Sequence, residues 1–392
     1  MNIVRLIASV MMCGGLVATS AWATPYVPTQ DSDILERLPD TVADGRAREL
    51  RALRTALTAE PDNLTLAVQL ASDYIELGRV TGDPRYAGYA QSALTPWWND
   101  SAPPIPVLVL RAQLRQRVHA FDTALADLDL VLKTDPREAR ARLLRATIRQ
   151  VIGDYPHAAA DCAALARAAN PLLGTHCRAS VMSMTGELAQ AFALLTPAAE
   201  HIGGLDTGTA SWVLTSLAEM ADRMGDAARA TALFKQALAL TPTDQYLLIA
   251  YADFLLAEGR GAEVVPLLKP FPRVDGLLLR YALALQATGA DNLDAIAQLR
   301  ARFAASAARG ETVHRREQAR FVLELEHDSV LAVKLARDNW AVQKEPADLR
   351  ILIAAARAAK ADDVLESAHR WVLDHHFQDQ RLGALAPLAA GS

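Results

Sequence analysis

Five prolines are regularly spaced along the chain. Pro61, Pro136, Pro171, Pro242 and Pro346 lie 75, 35, 71 and 104 residues apart, so each interval is close to a whole multiple of about 35 residues. A period of this length is typical of tandem helical hairpins, in which one hairpin cannot bury its apolar face without its neighbours. The spacing therefore predicts an all-α protein built as a right-handed α-solenoid of about eight stacked helix-turn-helix repeats.

The residues between the prolines give the repeat its internal pattern, which is clearest before Pro242. Small side chains let two helices approach closely, Phe234 fills the space between hairpins, and Gly225 turns the chain. The positions are Leu214, Ala218, Ala221, Gly225, Asp226, Ala230, Phe234, Ala237 and Pro242. This pattern resembles the tetratricopeptide repeat. Looser copies of it lie around Gly153, Gly259 and Gly289. The resemblance implies that the first helices of successive hairpins line a concave groove for an extended peptide or a helix of a partner.

The N-terminal residues do not follow the repeat pattern. Arg5 precedes an apolar run from Leu6 to Val17, and Ala21-Trp22-Ala23 has small residues where a signal peptidase cleaves. We therefore expect a signal peptide at 1–23 with cleavage after Ala23, and export to the periplasm or the medium. A membrane anchor is the alternative, but the run is shorter than the roughly 20 residues that span a bilayer.

The expected organisation after the signal peptide is a flexible segment at 24–44, a helical repeat array at 45–310 and diverged helical repeats at 311–392. A lipoprotein would need a small residue before Cys13, where Met12 stands. The remaining chain has no stretch of 18 apolar residues, so we expect no membrane span in the mature protein.

The charge balance bears on the class of partner. The formal net charge is −5, and removal of a signal peptide that contains Arg5 and no acid would make it −6. Binding of nucleic acid normally requires a basic stripe of Lys and Arg. The sequence therefore favours a protein or peptide partner and no nucleic acid.

Two cysteines remain once Cys13 is assigned to the signal peptide. If two helices meet antiparallel around Asn170-Pro171, then Cys162 and Cys177 lie at the same level, and an exported protein can form the bond. We predict a structural disulfide between the second helix of one hairpin and the first helix of the next. The alternative is that both are small buried core residues.

The sequence contains none of the common catalytic or metal-binding motifs. There is no Gly-x-Ser-x-Gly, His-Glu-x-x-His, Cys-x-x-Cys or glycine-rich phosphate loop. His375 and His376 beside Asp374 form a dense spot, but adjacent residues of a helix point about 100° apart, so a solvated helix end is expected. The sequence predicts no enzyme, no cofactor and no metal site.

Counting from each turn glycine or proline places candidate side chains on the concave groove. They are polar with two aromatics, and they lack the dense Lys and Arg cluster that would bind a peptide carboxylate. Each could instead be merely solvated, and Trp212 could pack between hairpins. The predicted partner-binding residues are Gln113, Gln116, Arg117, Arg140, Thr147, Gln150, His176, Ser180, Trp212, Thr215, Glu219, Tyr246 and Asp253.

A second candidate surface contains four aromatics close together, Tyr86, Tyr89, Trp97 and Trp98. They either fill the core where the repeat is distorted or form an exposed docking patch. The sequence as a whole favours a noncatalytic protein-interaction scaffold. The alternatives are a structural or assembly component of a cell-envelope complex and, less favoured, an enzyme on a helical-repeat scaffold.

Overall fold

The computed structural model describes Gln30 and residues 45–168 and 171–385. The predicted signal peptide, with cleavage after Ala23, and the predicted segment 24–44, apart from Gln30, lie outside the described residues. The chain divides into two compact units, residues 1–51 and 52–392. Everything from the second helix onward belongs to the second unit.

The described residues are helical throughout, with short turns between the helices and no strand. The α-helices are α1 (Gly45–Ala59), α2 (Leu64–Thr81), α3 (Arg85–Ala93), α4 (Thr95–Trp98), α5 (Ile105–Arg117), α6 (Phe121–Thr134), α7 (Ala139–Ile152), α8 (Tyr155–Ala168), α9 (Pro171–Met184), α10 (Leu188–Glu200), α11 (Thr207–Arg223), α12 (Ala227–Leu240), α13 (Gln245–Ala257), α14 (Gly261–Leu268), α15 (Asp275–Ala287), α16 (Leu293–Ala308), α17 (Arg315–Glu324), α18 (Ser329–Trp340), α19 (Pro346–Ala359), α20 (Asp362–Asp374) and α21 (Gln380–Leu385).

The helices from α5 to α20 form eight consecutive hairpins, in which the odd-numbered helix comes first. Each first helix packs against its own second helix and against the first helix of the next hairpin. Helices α2 and α3 form a further hairpin before them. The second unit is therefore an all-α solenoid of helical repeats, as the sequence predicts.

The prolines lie at helix boundaries, where their missing N–H is tolerated. Pro171 and Pro346 begin α9 and α19, whereas Pro136 and Pro242 follow the ends of α6 and α12. Pro266 lies inside α14, which is only eight residues long. This second helix is shorter than α12 and α16, the second helices of the neighbouring hairpins.

Phe234 shows how the repeat pattern becomes a packed core. Its ring is 1% exposed and lies 5.2 Å from the ring of Tyr251 and 5.5 Å from that of Phe254, both in the next hairpin. Ala218 and Ala230, on the two helices of the same hairpin, are completely buried. Small residues at the helix contact thus let the large ring fill the space between hairpins.

A disulfide joins Cys162 of α8 to Cys177 of α9, with their Cα atoms 5.3 Å apart. It connects the second helix of one hairpin to the first helix of the next, as predicted. A bond that closes a loop of 15 residues stabilises by about 3 kcal/mol in the chain-entropy description.

The four N-terminal aromatics divide between core and surface. The rings of Tyr86 and Tyr89 pack with Tyr74 at centroid distances of 5.5–6.0 Å, although Tyr89 remains 49% exposed. Trp97 and Trp98 are half-buried, and both core filling and surface docking therefore have some structural support. No helix among the described residues is long and apolar enough to cross a membrane.

Candidate functional site

A cavity of about 300 Å³ lies against the first helices α7, α9, α11 and α13. Eight of the predicted partner-binding residues line it. They are Thr147, Gln150, His176, Ser180, Trp212, Glu219, Tyr246 and Asp253. Most of the predicted partner-binding residues therefore lie together on one surface. Binding of a partner by that surface remains a prediction.

Helix geometry explains why these positions share one face. Trp212 and Glu219 are seven residues apart on α11, and Tyr246 and Asp253 have the same separation on α13, so each pair lies two turns apart on one side of its helix. Asp206 caps α11 by accepting from the amide of Thr209 at 2.9 Å. The cap fixes where the helix begins and therefore which residues face the cavity.

Five predicted residues do not line the cavity. Gln113 and Arg140 hydrogen-bond to each other at 2.6 Å on α5 and α7, and Gln116 and Arg117 lie at the end of α5. Thr215 is 3% exposed and donates to the carbonyl oxygen one turn earlier. Thr215 is thus buried in α11 and is not part of the cavity lining.

His176 lies deep in the cavity wall and is 3% exposed. Its ring stacks on Trp212 with centroids 3.4 Å apart, and its Nε2 is 2.8 Å from the Ser216 hydroxyl. Burial lowers the pKa of His176 to about 3. The ring is therefore neutral at physiological pH and supplies a flat, uncharged surface.

Glu219 and Tyr246 form a hydrogen-bonded pair across two helices. The Tyr246 hydroxyl donates to Glu219 Oε1 at 2.9 Å, while the tyrosine as a whole stays 57% exposed. Burial raises the pKa of Glu219 to about 7, and the hydrogen bond from Tyr246 opposes that shift. Glu219 can therefore change its charge near neutral pH.

Asp253, the second acid among the predicted partner-binding residues, forms ion pairs with two arginines. It accepts two hydrogen bonds from Arg280, at 2.9 and 2.8 Å, and another from Arg320. Burial raises the pKa of the Asp253 carboxyl, but Arg280 and Arg320 outweigh it and hold the pKa below its usual value. This carboxylate is a permanent structural anion that joins α13 to α15 and α17.

One part of the lining was not predicted from the sequence, and it comes from the C-terminal hairpins, α17 to α20. Arg316, Lys344, Glu345, Pro346, Ala347 and Arg350 line the same cavity. The backbone N–H of Lys344 donates to the carbonyl of Val151 at 2.7 Å, which holds the α18–α19 loop against the end of α7. No local motif signals this approach, because it depends on contacts between residues almost 200 positions apart.

Asp222, at the end of α11, anchors the C-terminal hairpins. It is 6% exposed and forms ion pairs with Arg350 at 3.2 Å and with Arg381 at 2.5 Å. Arg350 also pairs with Asp379 at 2.7 Å. The chain near α21 is thereby fixed to a helix of the array about 160 residues earlier.

Arg223 makes a second anchor beside Asp222. Its guanidinium donates to the carbonyl oxygens of Gln378, at 2.9 Å, and Ser183, and lies 4.4 Å from the centre of the Phe377 ring. Burial lowers the pKa of Arg223 to about 10. Its N–H groups are engaged with the protein itself, which makes it a structural cation.

The C-terminal histidines have no part in the cavity lining. His375 caps α20, and its Nδ1 is 2.8 Å from the carbonyl of Trp371. Within the described part of the chain, no group of three or more His, Cys, Asp or Glu side chains is placed to hold a metal ion.

Comparison with known proteins identifies the repeat. The family described as tetratricopeptide repeat matches residues 223–288, which run from the end of α11 to the residue after α15. This segment of the helical array therefore matches the tetratricopeptide repeat. No curated protein matches it.

Solved structures similar to this chain include a tetratricopeptide repeat protein from Parabacteroides merdae, 16% identical over 63% of this chain and 94% of that chain, with a TM-score of 0.47. Another is the human IFIT1 dimer with PPP-AAAA, 14% identical over 88% of each chain, with a TM-score of 0.45. Both TM-scores are below 0.5, so these likenesses carry no argument about a ligand.

Proposed function

We propose that this protein is an exported, noncatalytic scaffold that binds a short segment of a partner protein in the concave cavity. The observation that carries the proposal is the convergence of polar and aromatic side chains from four successive first helices on one cavity. The export part rests on the sequence pattern from Arg5 to Ala23. The net charge of −5 supports a protein partner over a nucleic acid.

The size of the cavity limits what it can hold. A volume of about 300 Å³ is at the lower end for ligand pockets, so it admits a few side chains of an extended segment and excludes a whole helix. Trp212 and Tyr246 offer apolar area for an anchor residue, and Gln150 and Ser180 offer hydrogen bonds to a peptide backbone.

The arrangement around His176 supports a noncatalytic role. A base that activates a serine is usually oriented by an acidic group on its other ring nitrogen. Here Nε2 faces Ser216, but Nδ1 faces the Ser180 hydroxyl at 3.5 Å. The pair is better explained as packing that holds the ring against Trp212.

The envelope-assembly alternative requires a large exposed apolar patch. Among the residues that the structure describes, the most exposed large apolar side chains are Leu293 at 71%, Val330 at 73% and Leu373 at 68%. They lie on three different second helices, α16, α18 and α20.

A crosslinking pull-down from native periplasm tests the proposal, with tagged full-length precursor expressed in the cell so that the mature form is captured. The cavity variant carries Gln150→Glu and Trp212→Ala, and the control carries Tyr89→Ala on the N-terminal aromatic surface. We expect mass spectrometry to find a partner with the wild type and the control that is lost with the cavity variant. Equal capture by the cavity variant, with loss in the control, would move the binding surface to the N-terminal aromatics.

A further inference from the structure

One acid of the cavity lining differs from the others. Asp222, Asp253 and Glu345 each form an ion pair with arginine, whereas Glu219 forms none with any side chain that the structure describes. Its Oε1 accepts from Tyr246, and its Oε2 receives no hydrogen bond from the described residues. Glu219 therefore has a carboxylate oxygen available to a ligand.

Two aromatic side chains line the same cavity as this carboxylate. The bond to Glu219 holds the Tyr246 ring at the cavity, and Trp212 lies two turns earlier on the same face of α11, stacked on neutral His176. A cavity that combines a carboxylate with Trp and Tyr rings suits a cation, because the ring faces and the anion both attract positive charge.

The cations of the lining do not fill this role. Arg280, Arg316 and Arg350 are paired with carboxylates. Arg223 donates to backbone carbonyls and Ser183. Lys344 donates to the Trp340 carbonyl at 2.7 Å and lies 5.3 Å from the centre of the Trp340 ring. Each is held by its own partners, so the charge of Glu219 remains to be balanced.

We propose that the cavity binds a primary ammonium group, the side chain of a lysine in the partner segment, with Glu219 as its counter-ion and Trp212 and Tyr246 as its walls. This rests on the proposed function, since it names the residue that the cavity selects. The ammonium accepts no hydrogen bond and offers three donors, which suits an unpaired carboxylate oxygen.

Isothermal titration calorimetry with N-acetyl-lysine N-methylamide tests the proposal directly. Its norleucine analogue is the neutral probe and its glutamate analogue the anionic one. Because a single side chain is a small ligand, we expect a dissociation constant in the millimolar range and roughly tenfold weaker binding of the norleucine probe. Glu219→Gln keeps the acceptor for Tyr246 and should abolish the preference for lysine. Asp363→Asn, at an exposed acid of α20 outside the cavity lining, should leave it unchanged.

The pH dependence separates a counter-ion from a structural residue. Besides Tyr246, the charged groups that act on Glu219 are Arg223 of its own helix, Glu345 and Arg350. Between pH 8 and pH 6 the carboxylate is expected to gain its proton, so the lysine preference should fall roughly tenfold. Glu219→Gln should show no such change.

Three results would overturn the inference: equal binding of lysine and norleucine probes, preference for the glutamate probe with loss in Lys344→Gln, or no binding at millimolar concentrations. The proposed function fails separately. If partner capture depends on Trp212 but lysine is not preferred, the scaffold proposal stands and the ammonium site does not. If lysine binds and no partner is captured, the ammonium site stands and the scaffold proposal does not.

Discussion

The turns of the array and those of the C-terminal hairpins have the same backbone form but different residues. In the turn between α13 and α14, Gly259 has φ 69°, and in the turn between α19 and α20, Lys360 has φ 55°. Both are left-handed, a conformation that glycine adopts without strain and that a residue with a Cβ adopts at a cost of about 1–2 kcal/mol. The repeat geometry thus continues where its glycine signature has been lost.

The two regions also differ in the range of their contacts. A solenoid is expected to be stabilised by contacts between neighbouring repeats. The C-terminal hairpins depart from this, because Arg381 binds Asp222 from 159 positions away and the Gln378 carbonyl binds Arg223 from 155 positions away. The end of the chain depends on the middle for its position.

The largest expected effect tests that dependence. Asp222→Asn removes the carboxylate shared by Arg350 and Arg381, which keep Asp379 and Glu258 as their other partners. The docking of the C-terminal hairpins should be destabilised by about 3 kcal/mol, the lower end for a broken buried ion pair. Hydrogen exchange should rise in 346–385 while α12 and α13 keep their protection.

A matched control for Asp222→Asn is Asp363→Asn. Asp363 pairs with Arg337 at 2.8 Å, but the two side chains are 74% and 58% exposed, so its loss should change stability by less than about 1 kcal/mol. Unchanged exchange in 346–385 for Asp222→Asn would show that the C-terminal hairpins are positioned without this ion pair.

The disulfide gives the next effect in size, and it lies within the array. Cys162→Ala with Cys177→Ala should lower stability by about 3 kcal/mol, because the unfolded chain loses a crosslink over a short loop. In thermal unfolding, addition of reductant should lower the stability of the wild type by the same amount and should not change that of the variant. Two free thiols in the unfolded wild-type protein without reductant would mean that the bond does not form in solution.

His176 should make the array sensitive to acid. Its folded pKa of about 3 is below its ordinary value, so its contribution to stability is present above about pH 6.5 and is lost as the pH falls toward 3. At pH 5 the loss is about 2 kcal/mol. His176→Gln should unfold at a temperature that falls less between pH 7 and pH 5 than that of the wild type; equal falls would show that the ring is not held neutral.

The sequence predicted those features that depend on local pattern. Proline spacing and the alanine and Phe234 positions gave the hairpins, and counting along a helix put Trp212, Glu219 and Tyr246 on one face, because a helix face follows directly from residue spacing. Arg316, Lys344 and Arg350 could not be assigned to the same site, since no spacing rule relates them to α11. Long-range ion pairs depend on the accumulated curvature of all the intervening hairpins.

The smallest effects come from the turns themselves. Gly259→Ala adds a methyl group with no heavy atom within 4 Å, so it isolates the backbone strain and should destabilise by about 1 kcal/mol. Lys360→Gly relieves the same strain but makes the unfolded chain more flexible by a similar amount. We therefore expect Lys360→Gly to change stability by no more than about 0.5 kcal/mol, measured by hydrogen exchange at the adjoining helices.

Lys360→Ala, which keeps a Cβ at this exposed position, should leave stability unchanged. A loss with Lys360→Gly as large as with Gly259→Ala would mean that the lysine is fixed by more than its backbone, and that the two kinds of turn are not equivalent.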